Sequence, residues 1–350
     1  MALWATLTQH AFGGSQRLAE SDISSSRFAI WRDTLTLIHQ QPWFGVGFGE
    51  FNFAWTLTPL PQRPVAFFDH THNLPLQLAV ELGLPLAFLV MALLIFGLWR
   101  GAKQAWTTPA DLGLAQRSAM LMVLMIGLHS LVEYPLWYSY FLLPTAWAWG
   151  FALYRPGRAA APAPAETMPV AAASFAVQLA AFAVVLGACL SVLDFMRVSQ
   201  IFASDAGAAA LEQRVASGQR SVFFAHHADY AAVTSNMAKG DPVHAFDRVT
   251  HYLLDSRLLA AWAQALAARG QFDQARHLAA RLREFRNPDA ADFFASCPAA
   301  GDVVAAPVAG AVAATAAAPA SAASAPVASQ FQCQRPLQVH GWGEFQVPGF

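Results

Sequence analysis

Four apolar blocks, at residues 74–99, 119–132, 135–154 and 171–193, decide most of what this chain can fold into. A helix needs roughly 20 apolar residues to cross the hydrocarbon of a bilayer, and backbone inside lipid must satisfy its own hydrogen bonds. The blocks therefore read as about four transmembrane helices, with one ambiguity: the second is short, so a re-entrant segment competes with a span there. Composition agrees, since 56% of residues are hydrophobic, 12% are charged and the mean hydropathy is +0.36. That charged fraction is about half the usual share of a soluble domain. A net charge of -1 excludes a basic nucleic-acid binder.

Basic residues in short loops mark the cytoplasmic side. Arg100, Lys103 and Arg117 fall between blocks one and two, and Arg155 and Arg158 between three and four. Four spans in that orientation place residues 1–72 and everything after block four outside the cytoplasm. Trp99, Tyr134, Trp137, Tyr138, Trp149 and Tyr154 fall at the predicted interfaces, where amphipathic rings are favoured. Residues 1–26 show no basic stretch followed by an apolar core that would carry them across, so further spans are expected upstream. Three cysteines are too few for a disulfide scaffold; Cys189 lies inside block four, leaving Cys297 and Cys333 as a possible pair.

Outside the blocks, residues 27–40 show a helical pattern with Ile30, Trp31, Leu35 and Ile38 on one side and Ser24, Ser25 and Ser26 as cap candidates. The run Gly45-Val46-Gly47-Phe48-Gly49 has neither a strand before it nor Gly-Lys-Ser/Thr after it, so a tight aromatic turn on the bilayer surface is favoured over a phosphate loop. Residues 155–169, rich in Ala and Pro, read as a linker. Residues 197–297 have soluble, helical composition. Within them Leu259, Trp262 and Leu266 are set to face Ala275, Leu278 and Leu282 across Arg269-Gly270-Gln271, as in one tetratricopeptide unit or an ordinary helical hairpin. Residues 299–328, small-sided and almost uncharged, read as a tether.

Side chains that can carry chemistry gather at the start of block one. His70 and His72 admit three readings: two ligands of a metal, with Asp69 as a third; solvated loop residues; or a general base, for which imidazole is suited at neutral pH. Asn73 is a good N-cap and Pro75 suits a first turn, so the helix is expected to begin right after His72. Its free N–H groups and positive dipole end would then favour an anion and a neutral imidazole. Asn73, Gln77 and Glu81 recur every four residues as a polar stripe. Glu81, expensive in lipid, is expected to face the protein interior or a hydrated cavity, either holding another helix or touching substrate. His129 and Glu133, four apart on block two, can meet on one helix face, with Tyr134 following.

Ser26-Arg27-x-x-x-Trp31, Pro42-x-x-Gly45-x-Gly47, His72-Asn73 ahead of Leu76-x-x-x-x-Glu81-x-Gly83, and His129-Ser130-Leu131-Val132-Glu133-Tyr134-Pro135-Leu136-Trp137-Tyr138 together resemble the O-antigen ligase and polymerase superfamily. The last string is most similar to its protein O-oligosaccharyltransferase, or pilin glycosylation ligase, branch. The resemblance covers roughly residues 27 to 285 of a chain that is short for that family, as its C-terminal portion would be.

The resemblance implies an all-α, polytopic helical membrane protein with a C-terminal, tetratricopeptide-like exterior domain. Its parts would be a periplasmic segment with the catalytic loop at 1–72, a transmembrane region at 73–196, a periplasmic helical domain at 197–297 and a low-complexity tail at 298–350. It sits in the bacterial inner membrane among membrane lipids. The implied reaction moves a preassembled oligosaccharide from undecaprenyl diphosphate to a Ser or Thr hydroxyl of an exported, pilin-like protein, with no cofactor, no metal and no nucleic acid. His72 is implied as the base. Arg27 matches the superfamily arginine that neutralises the leaving diphosphate, with Arg32 and Arg63 as further cations. His70, Asn73, Gln77, Glu81, His129, Glu133 and Tyr134 are expected to contact substrate. The alternatives are a sugar acceptor, such as lipid A core in O-antigen ligation or the growing chain in polymerisation, and a non-catalytic scaffold or inactive fragment.

Overall fold

The computed structural model describes residues 23–61, 63–64, 67–155, 170–203, 209–237, 245–297 and 328–346. Among them every regular element is helical. The chain forms two compact units, one of residues 1–152, 281–288 and 341–343, the other of the remainder. The 155–169 linker lies largely, and the 299–328 tether almost wholly, outside the described residues, as does Arg158.

In the first unit, α1 (Ile23–Gln40) stops at the predicted Gln41-Pro42 boundary. It already starts at Ile23, so the three serines expected as caps fall inside its first turn. Its buried row is Ile30, Thr34, Leu37 and Ile38, whereas Leu35, expected in that row, is exposed. The i, i+4, i+7, i+8 spacing of the buried set is the one that fits a single helix face. This face packs on Val46, on Phe51, Ala54 and Trp55 of α2 (Phe51–Leu57), and on Val80 and Phe285.

The long helix α3 (Leu74–Thr107) is two helices joined at a break. Gly83 has φ 75° and ψ 163°, and Pro85 has no N–H to return to the Glu81 carbonyl. Residues 42–47 take three of the backbone groups released at the break. Val46 N–H donates to the Val80 carbonyl at 2.8 Å, Gly47 N–H to the Glu81 carbonyl at 3.1 Å, and Leu84 N–H donates to the Pro42 carbonyl at 2.8 Å. The contact leaves no room for side chains. A Cβ on Gly45 would sit 2.5 Å from the Glu81 carbonyl, and one on Gly83 would strike the Trp43 carbonyl. Both glycines also have positive φ, so two independent requirements exclude other residues. The glycine run is thus a backbone plug for a broken helix, carrying Trp43, Phe44 and Phe48 exposed at its edge.

Beyond the break, α3, α4 (Ala110–His129) and α5 (Ser139–Leu153) pack through small residues. Gly97 lies under the Trp149 ring, Gly101 meets the Met120 sulfur, and Ala105, Met120 and Ala152 form one cluster. Close approach of small residues is how helices associate in lipid, where burial gives no hydrophobic gain. Among the described residues three helices are long and apolar enough to cross a membrane: α3, α4, and Val177–Phe202, most of it within α6 (Val170–Ser199). Block two is therefore a helix of spanning length. The correction concerns block three, where α5 has 15 residues after a separate 3-10 turn at Pro135–Trp137. α4 has already ended at His129, and Tyr134 and Pro135 open the turn that precedes α5.

In the second unit, Asp194 near the end of α6 accepts from Ser221 Oγ at 2.6 Å and from the N–H groups of Val222 and Phe223 at 2.9 Å each. These bonds tie down the turn between α7 (Leu211–Gly218) and α8 (Ala225–Thr234). After α9 (Phe246–Val249), α10 (Ser256–Ala268) and α11 (Phe272–Phe285) are joined through Gly270 at φ 78°. The six residues expected to line this hairpin are all buried. Cys297 and Cys333 form a disulfide, which ties residues 328–340 to the unit. There His340 bridges two carboxylates, Glu344 at 2.7 Å and Asp273 at 2.9 Å, and Asp273 also accepts from Leu337 N–H at 2.6 Å.

Two predictions follow from this packing. Gly83→Ala and Gly45→Ala should each cost at least about 3 kcal/mol through strain and collision. Gly49→Ala, with open space and only its φ of 82° to satisfy, should cost about 1 kcal/mol. Gly127→Ala, which meets nothing, should be silent in the same thermal-unfolding series in lipid nanodiscs. The second prediction concerns the bridge at His340. Burial opposes its charge, but hydrogen bonds donated to Glu344 and Asp273 prevail and raise its pKa above the ordinary 6.5. Its stabilisation is complete below that value and lost as pH rises through the raised one. Asp273 is opposed by burial yet lowered by Leu337 N–H and His340, so its contribution is lost only as pH falls below 3.8. With the disulfide reduced, limited proteolysis should spare residues 328–346 at mildly acidic pH and cut them in alkaline buffer; equal cutting at both would contradict the assignment.

Candidate functional site

The loop before α3 is held by bonds that leave one side chain presented. Thr71 is fully buried: its N–H donates to Gln77 Oε1 at 2.8 Å, its carbonyl accepts from Trp31 Nε1 at 2.9 Å, and its hydroxyl donates to the Asn73 carbonyl at 2.9 Å. With Thr71 fixed and Asn73 capping Leu76 N–H at 3.0 Å, His72 is forced into the left-handed region at φ 54°. Histidine tolerates that region better than most residues, and the neighbouring bonds maintain it. The ring lies edge-on to Phe68 and to Tyr134, with its side chain 16% exposed.

Glu133 completes the arrangement. Its Oε2 lies 2.7 Å from His72 Nδ1, and its Oε1 accepts from Arg27 Nη2. The residues that carry it are registered on α3 by two further bonds. Leu74 N–H donates to the Ser130 carbonyl at 2.8 Å, and Asn73 Nδ2 to the Leu131 carbonyl at 2.9 Å. Arg27, His72 and Glu133, far apart in sequence, therefore form one contiguous group.

The other expected site residues are placed as follows. His70 stacks on Tyr134 at 4.7 Å and meets the Trp137 edge at 4.9 Å. Its Nδ1 lies 3.1 Å from Asp69 but off the line of a hydrogen bond. Tyr134 receives a weak bond from the Tyr138 hydroxyl at 3.4 Å; this bond, burial and nearby carboxylates push its phenol well above the ordinary range, so it stays protonated. His70, His72, Asn73, Gln77, Tyr134 and Trp137 close a recess whose side chains leave no space for a water molecule. A ligand meets the exposed edge of this cluster unless the rings part.

The polar stripe on α3 is spent internally. Gln77 bridges Thr71 and Glu81, and the buried Glu81 faces the N–H groups of Gly49 and Phe51 at the start of α2. The N–H groups expected to be open at the helix start are occupied as well: Ser130 takes Leu74, Asn73 takes Leu76 and Gln77, and Pro75 has none. What remains for an anion at this end is the dipole. Arg63 is buried; it donates to the Trp55 and Thr58 carbonyls, pairs with Glu284 at 3.3 Å and lies over the rings of Trp55 and Phe285. Burial lowers its pKa to about 10, which still leaves it a cation that braces the core. Arg32 is exposed beside Asp33 at 3.6 Å. His129 is the last residue of α4 and its ring meets Phe141. Glu133 N–H still donates to the His129 carbonyl at 2.9 Å, but the two side chains part, that of Glu133 to His72 and Arg27 and that of His129 to Phe141. Among the described residues no group of three His, Cys, Asp or Glu side chains is arranged to hold a metal. Sequence reasoning missed Thr71 and the role of the Trp31 indole; only their closeness to the His-x-His pair and to Arg27 pointed to either.

Comparisons with known proteins identify the family. Residues 118–294, just over half of the chain, match the family described as virulence factor membrane-bound polymerase, C-terminal, and residues 3–91 match O-antigen ligase. A general O-oligosaccharyltransferase of Acinetobacter baylyi (strain ATCC 33305 / BD413 / ADP1) is 35% identical over 125 residues, 35% of this chain and 21% of that protein. A ComP-specific O-oligosaccharyltransferase of the same organism is 31% identical over 134 residues, 37% of this chain and 23% of that protein. The matched stretch thus spans under a quarter of either relative. No solved structure matches. This all-α membrane chain belongs to the virulence factor membrane-bound polymerase C-terminal family, within the O-antigen ligase superfamily.

Proposed function

We propose that the chain carries the site at which a preassembled glycan passes from undecaprenyl diphosphate to a Ser or Thr hydroxyl of an exported, pilin-like protein. The observation that supports this most is His72, held through Nδ1 at the end of a membrane helix with Nε2 left to take a proton. In the step, the acceptor oxygen attacks the anomeric carbon while its proton passes to His72 Nε2. The bond from that carbon to the diphosphate oxygen breaks, and undecaprenyl diphosphate leaves with the electron pair. Arg27, 34% exposed at its side chain, has donors beyond the Nη2 given to Glu133 with which to meet the leaving charge. A sugar acceptor would use the same steps; the names of the two relatives favour protein, since both are O-oligosaccharyltransferases.

The site is inferred to face the periplasm from the inner membrane. The basic residues Arg100, Lys103 and Arg117 favour a cytoplasmic turn between α3 and α4, which leaves the His72 end outside. The Cys297–Cys333 disulfide supports the same side for the second unit, because such bonds persist in oxidising compartments. That requires α5, with its preceding turn, to complete a crossing.

Two tests bear on this. In the bacterium that encodes the chain, a chromosomal His72→Ala allele should abolish glycan addition to exported proteins, read by intact mass, while the protein stays in the membrane. Arg27→Lys should retain more transfer than Arg27→Ala, since charge remains and the planar fork is lost. Full transfer by His72→Ala would remove the base assignment. For orientation, a C-terminal alkaline phosphatase fusion should be active; an inactive one beside a fluorescent cytoplasmic reporter would show that α5 does not cross.

A further inference from the structure

Resting on the reading of His72 as base, we propose that Glu133 is a positioning residue that fixes the His72 tautomer and ring, and that Arg27 in turn holds Glu133. A neutral imidazole has one N–H and one lone pair, and it accepts a proton only at the nitrogen that lacks one. A carboxylate at Nδ1 is an acceptor, so it draws the imidazole N–H there and leaves the Nε2 lone pair toward the acceptor. The 2.7 Å separation is that of a charge-assisted bond. Protonation of Nε2 in the step makes the ring a cation, and the same carboxylate stabilises it, as in hydrolases where a carboxylate orients the catalytic histidine.

The surroundings are built to keep this geometry. Arg27 Nη2 occupies the other Glu133 oxygen, which stops the carboxylate rotating away. The backbone bonds from Ser130 to Leu74 and from Leu131 to the Asn73 side chain set the register of Glu133 against His72. Thr71, bonded on both its backbone groups and its hydroxyl, holds His72 at positive φ, so the ring cannot follow a different backbone path. Glu133 is therefore assigned to orientation, and Arg27 acts on the base as well as on the leaving group.

The tautomer gives a readout that does not depend on activity. The purified full chain, labelled with 15N-histidine in lipid bilayers, should show His72 protonated at Nδ1 and bare at Nε2 in mildly alkaline buffer, the signal being assigned by its loss in His72→Asn. A wild-type His72 protonated at Nε2 instead would overturn the proposal without any further variant. Glu133→Gln, whose amide can donate to Nδ1, should lose the Nδ1–H signature, and Glu133→Asp should recover it. In chromosomal alleles, Glu133→Gln should lower kcat by roughly 10²- to 10⁴-fold with the acceptor KM little changed, and Glu133→Asp should restore part of it. Full turnover in Glu133→Gln, or an unaltered tautomer, would refute the role. Transfer by His72→Ala would instead defeat the base reading, and the tautomer measurement would still stand.

Discussion

The first unit depends on one exchange of backbone hydrogen bonds, that between the break in α3 and residues 42–47. A helix interrupted in lipid leaves N–H and C=O groups that cost several kcal/mol each if unpaired. Here Gly83 and Pro85 create the gap, and the Pro42–Gly47 backbone fills it with three bonds. The exchange needs backbone on both sides at van der Waals distance, which is why glycine stands at 45 and at 83. It also brings α1 and α2 against the N-terminal half of α3, and with them Trp31 and Arg27.

From that plug a chain of polar contacts runs to the site. Glu81 faces the start of α2 and is bonded to Gln77, Gln77 is bonded to Thr71, and Thr71 sets the backbone at His72. A row that reads as a substrate-lining stripe is a rigid strut made of buried, mutually satisfied groups. Such a strut would serve His72 in the proposed role of base, because a group misplaced by about 1 Å can forfeit much of its effect. The polar groups near the membrane serve the site through position, and the side chains left exposed at its edge are few.

Much of the candidate site was legible as residues and little of it as geometry. His72 and Arg27 were readable because each stands in a short local motif. Glu133 was readable as a member of the His129–Tyr138 string, but its spacing from His129 suggested a side-chain pair that the chain does not form. The helix ends at His129, and the turn that follows points Glu133 at a loop 61 residues away in sequence. Arg63 shows the reverse error of reading charge without burial: a cation in an aromatic, Pro-rich loop looked available, and its donors are bonded within the core.

Sequence by itself determined the helical class, the apolar blocks, the start of α3 at Asn73 and the pair of cysteines left to bond, because periodicity, capping and composition are local properties. Tertiary structure decided the rest. It split α3 at Gly83, shortened α5, closed the helix N-terminus to ligands and joined Arg27, Glu133 and His72. Each of these depends on which distant backbone group or carboxylate satisfies a donor, and hydrogen-bond partners far apart in the chain leave no period or spacing from which to read them.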